Sequence, residues 1–236
     1  QWIFNAYVIA FGGFLLLGGK LSDIFGARKL FISGFVILTI SSLFAGLSWS
    51  DISLNIARAL QGLGSALIAP SALTMVLSMF RDPKELGKAL GFWGAAAAAG
   101  GSAGVFLGGV ITQWISWEWI FYINIPIGSL VILASPRFLQ KGERRKGSVD
   151  LLGATLATIS LVLVVYAIVT AENNGWASFT TLGLLVISIS LFGLFIKIQK
   201  KKSEPLIPLS IFKTTNLSSG NIVMALLAGA WILLWF

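Results

Sequence analysis

Runs of about 20 apolar residues recur from one end of this 236-residue chain to the other, each long enough to cross a hydrocarbon layer of roughly 30 Å as a helix. Inside lipid, backbone N–H and C=O groups must be satisfied within the span, so the runs imply α-helices. Composition agrees: 56% of residues are hydrophobic and 11% charged, against roughly 25% charged in an ordinary soluble domain. No stretch between the runs is long enough to bury a core of its own. The reading is therefore all-α, a polytopic membrane helical bundle made of spans and short connectors.

The hydropathy pattern places eight spans at about 3–19, 30–49, 53–79, 87–113, 119–135, 151–170, 179–197 and 217–236. Gln1-Trp2-Ile3 carries neither an initiator Met nor a basic leader, and the run ending at Phe236 stops within apolar sequence. Both termini are thus expected to be internal to a longer chain with further spans.

Charge alternates between connectors. Lys20, Arg28 and Lys29 fall on one side, as do Arg81, Lys84 and Lys88. So do Arg137, Lys141, Arg144, Arg145 and Lys146, and then Lys197, Lys200, Lys201, Lys202 and Lys213. The opposite connectors hold Asp51, Glu118 and Glu172 and no basic residue. By the excess of Lys and Arg on cytoplasmic loops, residue 1 is expected outside and the basic loops inside a cell membrane, inner or plasma. Trp49, Trp114, Trp117, Trp119 and Trp176 stand at the outer ends, where an interfacial aromatic belt belongs. The net charge of +8 is accounted for by these topogenic clusters meeting the lipid bilayer and its anionic head groups, and does not call for nucleic acid.

With no Cys and no His, disulfides, thiol catalysis and the usual transition-metal sites are excluded, and no cofactor is expected. Nor is there a paired set of intramembrane carboxylates, so the chain is not expected to be an enzyme.

Several strings carry more than hydropathy. Between the first two spans runs GKLSDIFGARK, from Gly19 to Lys29. Asp23 is placed to cap the next helix, while Gly19 and Gly26 permit a tight turn and close helix approach. Arg58 is the single basic residue that falls in no basic connector. A charge within lipid costs a few kcal/mol or more, so it faces a wet cavity or a partner, or else snorkels to the outer interface. Helical spacing puts Gln61, Gly62 and Ser65 on its face. Gly100, Gly104 and Gly108 recur every fourth residue, with Gly109 beside them, a stripe that admits close helix packing. Further on, SWEWIFYINIPIG spans Ser116 to Gly128, in which Pro126 has φ preset for a helix start and Asn124 needs a polar partner or acts as a cap.

These strings resemble the major facilitator superfamily. Gly19, Leu21, Asp23, Gly26, Arg28 and Lys29 fit its G-x-L-x-D-x-x-G-x-[RK]-[RK] signature between the second and third spans, although Ile24 and Ala27 stand where basic residues are common. The resemblance implies a gate in which the aspartate latches to the opposite bundle and to an arginine, Arg28 or another. R-x-x-Q-G-x-G, from Arg58, resembles the fourth-span motif linked to proton coupling. Gly104, Gly108 and Gly109 match the fifth-span antiporter motif, with Val105 at its usual proline. The Ser116–Gly128 string resembles W-R-W-x-F-x-x-N-x-P-x-G of the fourteen-span drug:proton antiporter branch, the EmrB/QacA type, with Glu118 at the usual arginine.

On that resemblance the chain runs from about the second to the ninth span. Residues 1–135 form an N-terminal bundle lacking its first span, 136–150 a basic cytoplasmic connector and 151–198 an additional helix hairpin. Residues 199–216 are a cytoplasmic linker, and 217–236 open the C-terminal bundle. The implied function is alternating-access efflux of lipophilic or cationic small molecules coupled to protons, with Asn5, Tyr7, Arg58, Gln61 and Asn124 facing the cavity. Asn5 and Tyr7 could equally be ordinary helix contacts. A metabolite importer or exporter on the same scaffold, or a non-transporting sensor or scaffold, are the alternatives. Nothing in the residues speaks for or against a periplasmic adaptor. None of the nine acids falls within the assigned spans, so the coupling carboxylate is expected elsewhere in the full protein.

Overall fold

The computed structural model describes residues 2–140, 150–202, 205–206 and 208–233. Most of the expected basic connector, 141–149, lies outside that set. The described residues form helices α1 (Trp2–Phe25), α2 (Ala27–Gly46), α3 (Asp51–Met79), α4 (Pro83–Trp114), α5 (Trp119–Tyr122), α6 (Asn124–Phe138), α7 (Leu151–Asn174), α8 (Phe179–Gln199) and α9 (Leu217–Leu233), with a 3-10 turn over Leu209–Lys213 and no strand. Counting α5 and α6 as one crossing, Trp119–Phe138, seven helical stretches are long and apolar enough to span a membrane. The eighth expected span is helical over Leu217–Leu233, of which Leu217–Ala230 makes a shorter apolar helix; 234–236 lie outside the described residues.

Helix ends follow local chemistry. Helix α3 starts at a capping box in which the Ser50 hydroxyl accepts from Ser53 N–H and the Ser53 hydroxyl accepts from Ser50 N–H, so two orphan donors are met. Helix α4 starts earlier than hydropathy indicates, because Pro83 sits in its first turn and the Asp82 carboxylate accepts from Lys84 N–H at 2.7 Å. The break between α5 and α6 falls at Ile123. Pro126 has no N–H to give the Tyr122 carbonyl one turn back, which removes the bond that would have made one helix of the two.

Two expectations about the first connector change. Helix α1 does not stop near residue 19 but runs to Phe25, since nothing between Gly19 and Phe25 breaks a helix; the chain turns at Gly26, whose φ of 93° is the left-handed region that favours glycine. Asp23 therefore ends α1 instead of capping α2, and the residue before α2, Gly26, makes no side-chain cap bond. The close approach expected at Gly19 belongs to Gly18. A Cβ on Gly18 would collide with the Ala66 carbonyl, the one Pro70 leaves without its i+4 donor, whereas a Cβ on Gly19 would make only ordinary contact, 3.9 Å from Pro70.

Helix α3 packs against both α1 and α2. Gly34 of α2 and Gly64 of α3 interlock: an added Cβ on either would lie 2.7–2.8 Å from the other's carbonyl oxygen. Helix α6 rests on α2, and Arg28 ties their ends, donating to the Leu139 carbonyl at 2.9 Å and the Pro136 carbonyl at 3.4 Å. A cation at the C-terminal end of α6 also meets the negative end of that helix dipole.

Helices α7 and α8 pair antiparallel, joined by a turn at Gly175 (φ 85°), with the Ser188 hydroxyl donating to the Ser160 carbonyl at 2.8 Å. The pair docks on α1, where Thr158 donates to the Gly13 carbonyl at 2.7 Å and Tyr166 meets Trp2 with ring centroids 5.7 Å apart. At the pair's basic end, Asp150 is only 2% exposed. Its carboxylate caps α7 by accepting from Gly153 N–H at 2.8 Å, accepts from Gln199 Nε2 at 2.6 Å and is ion-paired to Lys202. Gln199 in turn accepts from Leu206 N–H at 2.6 Å, so the linker is stapled back onto the end of α8.

Helices α4 and α9 stand outside this packing. Among the described residues α9 packs only on the 3-10 turn before it, and its residues 218–230 are exposed. None of the residues of α4 is buried among the described residues.

Candidate functional site

Ten residues into the chain, α1 passes so close to α3 that a Cβ on Gly62 would meet the Tyr7 carbonyl, with Ala10 Cβ at 2.9 Å and Phe11 N at 3.0 Å. That contact brings the first turns of α1 over Arg58. The arginine lies eight residues past the Ser50 cap, about 12 Å along the helix. Its Nε donates to the Ile3 carbonyl at 2.9 Å and one terminal nitrogen donates to Gln61 Oε1 at 2.8 Å. The Tyr7 ring covers the guanidinium at 4.5 Å and the Phe121 ring stands at 5.9 Å. The side chain thus turns into the helices, with a carbonyl, an amide and two aromatic faces as its neighbours, and does not reach outward along the lipid. An arginine fork suits such a place, because its donors diverge and its flat face stacks.

Gln61 is 2% exposed and belongs to a relay: its Nε2 donates to Ser42 Oγ at 2.7 Å, and Ser42 donates to the Leu38 carbonyl at 2.7 Å. Three helices therefore meet at one polar thread, α1 through Ile3 and Tyr7, α3 through Arg58 and Gln61, and α2 through Ser42 and Leu38. The i, i+3 spacing of Arg58 and Gln61 made their pairing readable in sequence. Ser42 was missed because small hydroxyl residues in an apolar run, here Thr39, Ser41 and Ser42, do not say which of them faces a partner; the signal that could have found it is its place on the Gly34–Leu38–Ser42 face, opposite Gly64 and Gln61.

The other expected cavity residues are not joined to this thread. Asn124 donates to the Ile120 carbonyl at 3.3 Å, one turn back across the α5–α6 break. It is neither an N-cap, since Ile123 holds that place, nor a partner of Arg58, because its amide is turned back onto its own helix. Asn5 is half-buried on α1 and makes no hydrogen bond among the described residues.

At the basic end, Asp23 is half-buried in the last turn of α1 and has no ion pair or hydrogen bond among the described residues. Arg28 is taken up by the end of α6, so it does not serve as the partner of Asp23 here. Four acids also lie within helices expected to be free of them, Asp23 in the last turn of α1, Asp51 and Glu85 in the first turns of α3 and α4, and Glu172 in the last turn of α7, because all four helices run past the hydropathy boundaries. In the stripe, Gly100, Gly104 and Gly109 are exposed and Gly108 is half-buried, and a Cβ on any of the four would meet nothing within 4 Å. No described helix fills it.

Comparison with known proteins places this arrangement in a family. The sequence pattern of the Major Facilitator Superfamily matches residues 1–236. The chain is 38% identical to the puromycin resistance protein pur8 of Streptomyces alboniger, over 88% of this chain and 41% of that protein. It is 35% identical to the cephamycin export protein CmcT of Amycolatopsis lactamdurans, over 100% of this chain and 49% of that one. Multidrug resistance protein 3 of Bacillus subtilis is 32% identical, over 99% and 46% respectively. The chain spans about half the length of these curated relatives. With apolar helices that cross a membrane several times, it is a multi-pass membrane protein, and it belongs to the Major Facilitator Superfamily.

Proposed function

We propose that this chain is part of an exporter of lipophilic or cationic small molecules, of the fourteen-span drug:proton antiporter branch, driven by protons and working by alternating access in a cell membrane. The carrying observation is Arg58, a half-buried charge held between α1 and α3 by the Ile3 carbonyl, Gln61 and the Tyr7 face. A permanent cation so placed favours nearby negative charge. A carboxylate arriving beside it would hold its proton less tightly, and cargo or conformational change that screens the cation would reverse that. Relatives named for puromycin resistance, cephamycin export and multidrug resistance support organic cargo and outward direction.

The remaining residues take the roles their surroundings favour. Asp23, half-buried without a partner among the described residues, is an inner latch for an element of the opposite bundle, with Gly26 shaping its turn. The bare stripe from Gly100 to Gly109 on α4 is a seat for a helix of that bundle. The antiparallel α7–α8 pair is the additional hairpin, and the basic connectors face the cytoplasm.

The test is ethidium efflux from vesicles containing the full-length protein, with and without an imposed pH gradient. Arg58→Ala abolishes gradient-driven efflux, while Arg58→Lys retains part of it, since lysine keeps the charge but not the divergent donors to Ile3 and Gln61. Parental coupled efflux by Arg58→Ala at matched abundance would reduce Arg58 to a packing residue and sink the proposal.

A further inference from the structure

The thread that ends on Ser42 has a polarity. Ser42 is 0% exposed, and its hydroxyl has one hydrogen, which is spent on the Leu38 carbonyl at 2.7 Å. That carbonyl belongs to the preceding turn of the same helix, so the direction of the O–H is set by α2 itself. Oγ can then only accept, and what it accepts is the Nε2 proton of Gln61, at 2.7 Å. On the other side, the Arg58 guanidinium has donors and no acceptor. An amide between an acceptor-only oxygen and a donor-only cation fits in one orientation. Turned over, its NH2 would face the guanidinium and its oxygen would face the lone pairs of Oγ.

The distance between these helices is equally constrained. Gly34, Leu38 and Ser42 lie at four-residue spacing on one face of α2, and Gly34 interlocks with Gly64 one turn beyond Gln61. A Cβ on Gly64 would also stand 2.9 Å from Leu38 N. The hydroxyl is thus delivered to Gln61 by two backbones in contact.

We infer that Ser42 is a positioning residue for the Arg58 site: it sets the orientation of the Gln61 amide and so presents Oε1 to the guanidinium. This deepens the coupling role proposed for Arg58 and rests on it. Removing the hydroxyl leaves only the guanidinium to hold the amide in that orientation, and Arg58 then shares its pocket with a donor for part of the time.

The experiment is a double-mutant cycle of Ser42→Ala and Gln61→Glu in the full-length transporter, reading gradient-driven ethidium efflux per folded molecule, with thermal unfolding of each purified variant alongside. Ser42→Ala lowers the efflux rate about tenfold, the scale of one hydrogen bond to a charged group. In the Gln61→Glu background there is no amide to orient, since both terminal oxygens accept, and Ser42→Ala changes the rate by less than about twofold. The unfolding midpoints show the same coupling, with a smaller loss from Ser42→Ala when residue 61 is a carboxylate. A Ser42→Ala rate within about twofold of parental per folded molecule overturns the inference however Gln61→Glu behaves. Equal losses in both backgrounds overturn it too, because a space-filling role does not depend on the chemistry at position 61. If Arg58→Ala keeps parental efflux, the coupling proposal and this inference fall together, whereas an inert Ser42→Ala beside a dead Arg58→Ala removes this inference alone.

Discussion

Gly62→Ala adds one carbon where α1 and α3 touch. The new Cβ would face the Tyr7 carbonyl, with Ala10 Cβ at 2.9 Å and Phe11 N at 3.0 Å, so two of the three nearest atoms are backbone and cannot swing aside. Carbon atoms rest about 3.5–4.0 Å apart, so α1 has to retreat by about 0.6–1.1 Å. The Arg58 Nε to Ile3 carbonyl bond is 2.9 Å and crosses the same gap. After the retreat it stands at about 3.5–4.0 Å, beyond hydrogen-bond range. Overpacking of this kind costs about 1–3 kcal/mol, and the lost bond to a charged group adds about 1.5–3 kcal/mol. The matching control is Gly12→Ala on the same helix, where a Cβ meets nothing within 4 Å. There alanine's helix propensity is worth about 0.5–1 kcal/mol of added stability. Thermal unfolding of the purified protein, followed by tryptophan fluorescence, reads both: the midpoint falls for Gly62→Ala and holds or rises for Gly12→Ala. Equal midpoints for the two variants would falsify the claim that Gly62 sets the α1–α3 distance.

Asp23→Asn slows ethidium turnover more than it weakens equilibrium ethidium binding, since a latch biases conformations without touching cargo; equal losses in both would point to misfolding. Because the chain has no native cysteine, single cysteines at Ser50, Ser116 and Ser178 report topology, and a membrane-impermeant maleimide labels all three from outside; labelling from the cytoplasm alone would reverse the orientation. Burial pushes the Asp150 carboxyl upward, but Lys202, Gly153 N–H and Gln199 outweigh it, so the group lies below the ordinary aspartate value. Its folded value is thus lower than its unfolded one, and the stability it adds is present above ordinary aspartate pH and lost as pH falls through the depressed value. Spin-label mobility at an introduced Ser210→Cys should accordingly rise in acid, and Asp150→Ala should be mobile at every pH; a pH response that survives Asp150→Ala places the titrating group elsewhere.

Spans are legible in this sequence because lipid demands length and apolarity, and those are properties of a run. The ends were less so. Hydropathy drops at Lys20, yet α1 continues to Phe25, because helix continuity depends on backbone breakers and the first of those is Gly26. Arg58 and Gln61 could be paired from spacing alone, since both sit on one helix. Ile3, Tyr7 and Ser42 could not be joined to them, because which residues of α1 and α2 face α3 is set by glycine contacts between helices far apart in sequence. Asn124 shows the opposite failure: a string known from other proteins drew attention to it, while its amide spends itself on the Ile120 carbonyl one turn back. Asp150 had a local signature, an acid ahead of an apolar run with a small residue three places on. Its bonds to Gln199 and Lys202 exist only once α7 and α8 have closed on each other.

That closure sets the length of a leash. Between Gln199 at the end of α8 and Leu217 at the start of α9 the chain takes 18 steps, which fully stretched reach about 59–65 Å. With Leu206 N–H held by Gln199, and Gln199 held by Asp150, only 11 steps remain from Leu206 to Leu217, about 36–40 Å. The 3-10 turn over Leu209–Lys213 draws this in further, at about 2.0 Å per residue. Whatever follows α9 is therefore moored to the base of α7 and α8 by a cord little more than half as long as its residue count suggests, and the mooring point is the Gln199 side chain, which a buried carboxylate helps to hold.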